Sequence, residues 1–209
     1  MFQGLQLDNT ILEEAQKQAE INWRWWQDDF EHNKAFGKMP VFNDYPRFLG
    51  FGADYSVFRG LDTKQLEKLQ IWFRNEQYPD SFGTLFRKFS NFANDESLHK
   101  KSRNDNWPNR ISLISKLLCL WRPEEYAMWD TLARAGLKKL HNSTRAHCYS
   151  QTNENNYLIF REDFFKLHEV TKGQLSDIIA KTSTSPSSTS FSFRVLDSYL
   201  MKIGERAIR

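Results

Sequence analysis

The spacing of apolar positions is helical along most of the chain. Behind Asn9 and Thr10, with Glu13 three residues after Thr10 as in a capping box, Ile11, Ala15, Ala19, Trp23, Trp26 and Phe30 recur every three or four residues, which predicts a helix over 9–33. A second helix is expected from Asp62 or Thr63, carrying Leu66, Leu69, Ile71, Trp72 and Phe73. A third starts near Ser81, with Phe82, Leu85, Phe86, Phe89 and Phe92. From Arg110 to Trp121 seven apolar residues fill one half of a helical wheel, which leaves Ser112, Ser115 and Lys116 on the polar half. After the break at Pro123 a fifth helix is expected from Asp130 to Leu140, then a long one over 156–181 with Gly173 as an interruption. A last helix is expected over 193–203, ending at Gly204 as a C-cap.

Between these elements, 34–60 gathers glycines and prolines among aromatic residues and reads as an ordered loop. The stretches 94–109 and 141–156 read as polar loops. KTSTSPSSTS, residues 181–190, reads as a mobile Ser/Thr loop. No internal repeat and no convincing pair of strands is present. The expected class is all-α: a bundle of about six to eight helices in one domain over 1–209, with two lobes, the middle of the chain and the joined terminal parts, around a cleft.

Composition narrows the partners more than the fold. A chain of 209 residues buries roughly 70% of its unfolded surface, enough for a core without staples. Cys119 and Cys148 form no CxxC pair, which argues for a reduced protein without a disulfide framework or a cysteine zinc site. The opening MFQGLQLDNTILEEAQ lacks the basic start and apolar stretch of a leader, and no eighteen apolar residues run together, so a cytoplasmic protein with no membrane span is expected. Net charge is +3, but the basic residues cluster: HKKSRNDNWPNR, 99–110, holds Lys100, Lys101, Arg103 and Arg110 against Asp105. Nucleic acid is therefore a permitted partner. Aromatic residues make up 15% of the chain, beyond the ordinary demand of a small helical core, so some rings are candidate surface stacking groups.

Chemistry-bearing motifs are sparse. Neither GxGxxG nor GxxxxGK[ST] occurs, which argues against nucleotide cofactors, and the five histidines make no HExxH; no cofactor and no metal are expected. Two residues have both a plain and a chemical reading. Asp130, just ahead of a helix, is a favoured N-cap, and equally a carboxylate that faces developing positive charge. Lys116 on the polar edge of its helix is a solvated lysine, or an amine that meets a phosphate or acts as a nucleophile.

The segment PEEYAMWDTLARAGLKKL resembles the part of the helix-hairpin-helix DNA glycosylase superfamily in which apolar residues precede the catalytic Asp and a helix of the form DTHVxRxxxRLGL follows. Asp130 matches that Asp, Thr131 the next residue, Arg134 the basic position, and Ala135-Gly136-Leu137 the small-Gly-Leu end. The family's hairpin carries Gly-x-Gly where this chain has NDNWPNR. Its nucleophilic lysine stands about twenty residues before the Asp, near Arg110 here, so Lys116 falls a turn and a half late.

The resemblance implies base excision from DNA by N-glycosidic hydrolysis, with Asp130 leading and a Schiff-base step through Lys116 less supported. It also implies Lys100, Lys101, Arg103, Arg110 and Arg134 as DNA contacts, Trp107 as a wedge, and Trp129 as a base-stacking ring. Excision of a virally modified base would make such an enzyme an antiviral defence. The competing expectation is a non-enzymatic helical module that binds nucleic acid or protein, in which Asp130 only caps its helix.

Overall fold

The structure, a computed structural model, describes residues 2, 4–23, 45–55, 58, 61–75, 81–95, 111–121, 123–141, 144–150, 152–181 and 189–208. Among these, eight α-helices and one 3-10 segment account for the regular structure and no strand occurs, so the fold is all-α. The helices are α1 (Asn9–Asn22), α2 (Tyr45–Asp54), α3 (Thr63–Asn75), α4 (Phe82–Asp95), α5 (Ile111–Trp121), α6 (Thr131–Leu140), α7 (Glu154–Ala180) and α8 (Thr189–Ile208), with the 3-10 segment at Thr144–Ser150 between α6 and α7. The chain divides into two compact units, one of Met1–Arg24 with Arg122–Arg209 and one of Trp25–Trp121.

In the first unit α8 is the central element. It packs most extensively on α6, then on α1, and less on α7, and every residue from Ser190 to Leu200 is buried. Two glycines allow the closest approach. A Cβ on Gly136 of α6 would overlap the Leu200 carbonyl, and one on Gly204 of α8 would overlap the Leu132 carbonyl. Gly204 is therefore a crossing point inside a helix that runs on to Ile208, not the C-cap expected from the sequence. Gly136 lies within α6, inside the span expected for that helix, and serves packing.

Local signals set most helix starts, with one shift. Asp8, not Thr10, caps α1: its carboxylate accepts the Ile11 N–H at 3.1 Å, and its own N–H, which a capping-box Glu would take, donates to the Tyr199 hydroxyl at 2.9 Å. The N-terminal segment is held further by Gln174 of α7, which exchanges two hydrogen bonds with the Leu7 backbone. The Trp23 N–H turns back to the Glu20 carbonyl and closes α1; the expected continuation from 24 to 33 lies outside the described residues. Asn153 caps α7, which passes through Gly173 without a break because that position is exposed and meets nothing.

The second unit holds α2 to α5. The aromatic segment expected as loop contains α2, with Pro46 in the first turn, where its missing N–H costs nothing. Gly52 within α2 lies against the Phe58 ring, which a Cβ would strike. Asp62 and Gln65 exchange backbone-to-side-chain bonds at 3.0 and 2.9 Å ahead of α3, a reciprocal cap, and Ser81 accepts the Thr84 N–H at 3.3 Å at the start of α4. Phe48, Phe51, Leu69, Phe73, Leu85, Phe89, Ile114 and Leu118 are buried here.

Candidate functional site

Asp130 stands where an extended stretch becomes a helix. Tyr126, Ala127, Met128 and Trp129 are all buried, and each of three supports comes from a long helix of the same unit. The Tyr157 hydroxyl donates to the Ala127 carbonyl at 3.2 Å, Arg161 donates to the Glu125 carbonyl, and Arg194 reaches the Met128 sulfur at 2.9 Å. The Arg161 guanidinium also lies over the Tyr126 and Phe165 rings. Asp130 itself is half-buried and extended, at φ −116° and ψ 146°; its Oδ1 accepts the Leu132 N–H at 2.8 Å, so it is the N-cap of α6. A carboxylate there sits in the positive end of the helix dipole.

Arg134, one turn on, is tied into the same corner. It donates to the Tyr149 carbonyl at 2.7 Å, to the Thr131 hydroxyl at 3.2 Å and to the Asp130 carbonyl at 3.4 Å. Burial pulls its pKa below the ordinary arginine value, and the Asp130 charge pulls it back up. Its guanidinium lies 4.5 Å from the centroid of the Trp129 ring. That ring is 2% exposed and also meets the edges of Tyr157 and Phe160. Trp129 is thus a core ring as folded, and the open base-stacking surface expected of it is taken by Arg134 and the aromatic core.

Lys116 differs from its wheel position. The polar edge of α5 is covered at two of its positions, where Ser115 is fully buried and Lys116 is 5% exposed. Its amine donates to the Tyr55 carbonyl at 2.9 Å and lies 5.9 Å from the centroid of the Tyr55 ring. Lys116 and Tyr55 belong to the second unit and Asp130 to the first. The other expected DNA contacts, Lys100, Lys101, Arg103, Trp107 and Arg110, lie outside the described residues, as does 182–188 of the Ser/Thr loop; Thr189 and Ser190 already belong to α8.

Three features went unread in the sequence. The expected polar loop before α7 buries Tyr149, whose hydroxyl donates to Asp163 at 2.6 Å, with His141 Nε2 at 3.6 Å from the same oxygen. This cluster joins the end of α6, the 3-10 segment and α7; its residues lie too far apart in the chain for any spacing motif. His168, 1% exposed in its side chain, shares a hydrogen bond with Ser192 at 2.7 Å and lies on the Phe193 ring. An open groove of about 890 Å³ runs along α7 in the first unit, lined among others by Phe2, Glu124, Arg161, Phe165, Lys166 and Val170. Asp130 is not among its lining residues.

Among the described residues no group of three or more His, Cys, Asp or Glu side chains is placed to hold a metal ion, and no helix is long and apolar enough to cross a membrane. Comparison with protein-family models, curated proteins and solved structures finds no match to the chain.

Proposed function

We propose that the chain is a DNA-processing enzyme of the DNA glycosylase type, which releases a damaged or modified base by hydrolysis with Asp130 as the charged group at the reacting sugar. The observation that carries this reading is the support beneath Asp130. Its approach segment is gripped by Tyr157, Arg161 and Arg194, and its carboxylate is oriented by the Leu132 N–H. A group held this firmly needs no reorganisation when charge develops before it.

In the proposed reaction the target nucleotide leaves the stack, and the bond between C1′ and the base nitrogen breaks with its electron pair departing on the base. Asp130 stabilises the oxocarbenium-like sugar, water adds at C1′, the water proton passes to the carboxylate, and the base takes up a proton as it leaves. Lys100, Lys101, Arg103 and Arg110 serve as phosphate contacts and Trp107 as the wedge. Arg134 acts as a positioning residue that holds Trp129 and the first turn of α6. Lys116, bonded to the Tyr55 carbonyl, takes no covalent part. The protein accordingly leaves abasic sites that break only under alkali, and borohydride traps no protein–DNA adduct.

A second reading, a helical binding module, draws on a specific observation: Trp129 and Arg134 are engaged inside the fold, and Asp130 has a helix to cap. The two are separated by incubating the protein with duplex and single-stranded DNAs that carry damaged or naturally modified bases, and identifying released bases by mass. Release of a base from any of them supports the enzyme; binding without release from all of them favours the module.

A further inference from the structure

The aromatic surplus has one outlet that the Asp130 corner does not use. In the second unit, Trp72 of α3 and Phe92 of α4 are both partly exposed and lie ring on ring, with centroids 5.2 Å apart and planes 20° from parallel. Phe73 and Phe89 are buried beneath them, and their edges meet Trp72 at 4.7 and 5.5 Å, which fixes its ring from below. The pair is therefore held rigidly by a core while reaching the surface.

Charge accompanies the rings in register. Lys68 stands one turn before Trp72 on α3 and Lys64 one turn before that; Lys88 stands one turn before Phe92 on α4. Residues four apart share a helix face, and all three lysines are exposed. With Arg74 and Arg87, these two helices carry five basic residues against Glu67 and Asp95, an excess as large as that of the whole chain. Among the described residues this face shows two rings and Ile71, a narrower apolar area than a membrane or an apolar peptide takes. Cations spaced around a supported ring pair instead fit a polyanion whose units each carry a flat apolar face.

We infer that the α3–α4 face binds single-stranded DNA, with a base stacked on the Trp72–Phe92 pair and backbone phosphates against Lys64, Lys68 and Lys88. Such surfaces combine base–aromatic stacking with a cationic track along the backbone. The choice of DNA rests on the proposed function.

The test is fluorescence anisotropy of a labelled fifteen-nucleotide oligothymidylate titrated with the full chain over a series of salt concentrations. Trp72→Ala should weaken binding about tenfold, the loss of one stacked base. Because that change also opens the core, Lys68→Ala/Lys88→Ala is the second variant, at two exposed positions that leave the buried rings in place. It should reduce the slope of log affinity against log salt by about 1.4, near 0.7 for each phosphate contact on a single strand. Unchanged affinity and slope in the lysine pair, no binding by the wild type, or equal affinity for an oligouridylate would each overturn the inference. Binding is read without base release. A wild-type protein that binds through this face yet releases no base would keep the interface and remove the glycosylase reading.

Discussion

Burying an amine is tolerable only when a strong acceptor meets it. At Lys116 that acceptor is the Tyr55 carbonyl, at the end of α2. Lys116→Ala removes this charge-assisted bond and the packing of the stem, so the protein should lose roughly 2–3 kcal/mol in urea unfolding; a loss within 0.5 kcal/mol, on the order of an ordinary surface change, would mean the amine is solvated. His168 carries a pH signature. Burial pulls its pKa from 6.5 to about 4, against the opposing influence of Glu169. As pH falls below 6.5 the unfolded chain protonates first, so stability fully present above that value is lost towards pH 4, by roughly 3 kcal/mol. Urea titrations between pH 4 and 7 should show this loss in the wild type relative to His168→Gln, and parallel curves would contradict it. Neither burial was legible in the sequence. A wheel ranks the faces of one helix but cannot say that the polar edge of α5 is covered at Ser115 and Lys116, and His168 sits among the residues of a helix that reads as ordinarily amphipathic.

The helices themselves were largely legible, because their apolar spacing and caps are local. Asp62, Ser81 and Asp130 all lie where the spacing places a helix start, and each accepts an N–H of the first turn. The misreadings share a cause: the same residue type serves different ends. Glycine at 204 is a natural C-cap by pattern, yet here it lets α8 meet α6 backbone to backbone. Glycine and proline between 46 and 52 suggest a loop, yet Pro46 in a first turn and Gly52 under a ring are compatible with α2. Tertiary neighbours decide between these uses, and they are not in the local sequence. The crossing has a consequence in stability. Gly204→Ala puts a methyl group into the Leu132 carbonyl, and forcing the helices apart should cost about 1–3 kcal/mol, whereas Gly173→Ala, in open space on α7, should stabilise by about 0.4–1 kcal/mol. Chemical denaturation of the two variants checks both signs; a stabilised Gly204→Ala protein would mean that the crossing is looser than described.

At the scale of the molecule, the first unit is built around one buried helix, and its buried surroundings fix the segment that delivers Asp130 to the head of α6. Tyr157 and Arg161 from α7 and Arg194 from α8 bind the residues just before it, so the position of one carboxylate depends on helices far away in sequence. A cap and a catalytic carboxylate use the same geometry here, and they separate only when side-chain shape is kept while charge is removed. Asparagine caps a helix about as well as aspartate, whereas alanine loses about 1 kcal/mol. Most direct is a paired measurement on wild type, Asp130→Asn and Asp130→Ala: the single-turnover rate of base release and the free energy of urea unfolding. The account predicts that Asp130→Asn unfolds within about 0.5 kcal/mol of wild type while its release rate falls by on the order of 10² or more, as when charge stabilisation at the transition state is lost. Wild-type release by Asp130→Asn, with only Asp130→Ala destabilised, would contradict it and leave Asp130 as a helix cap.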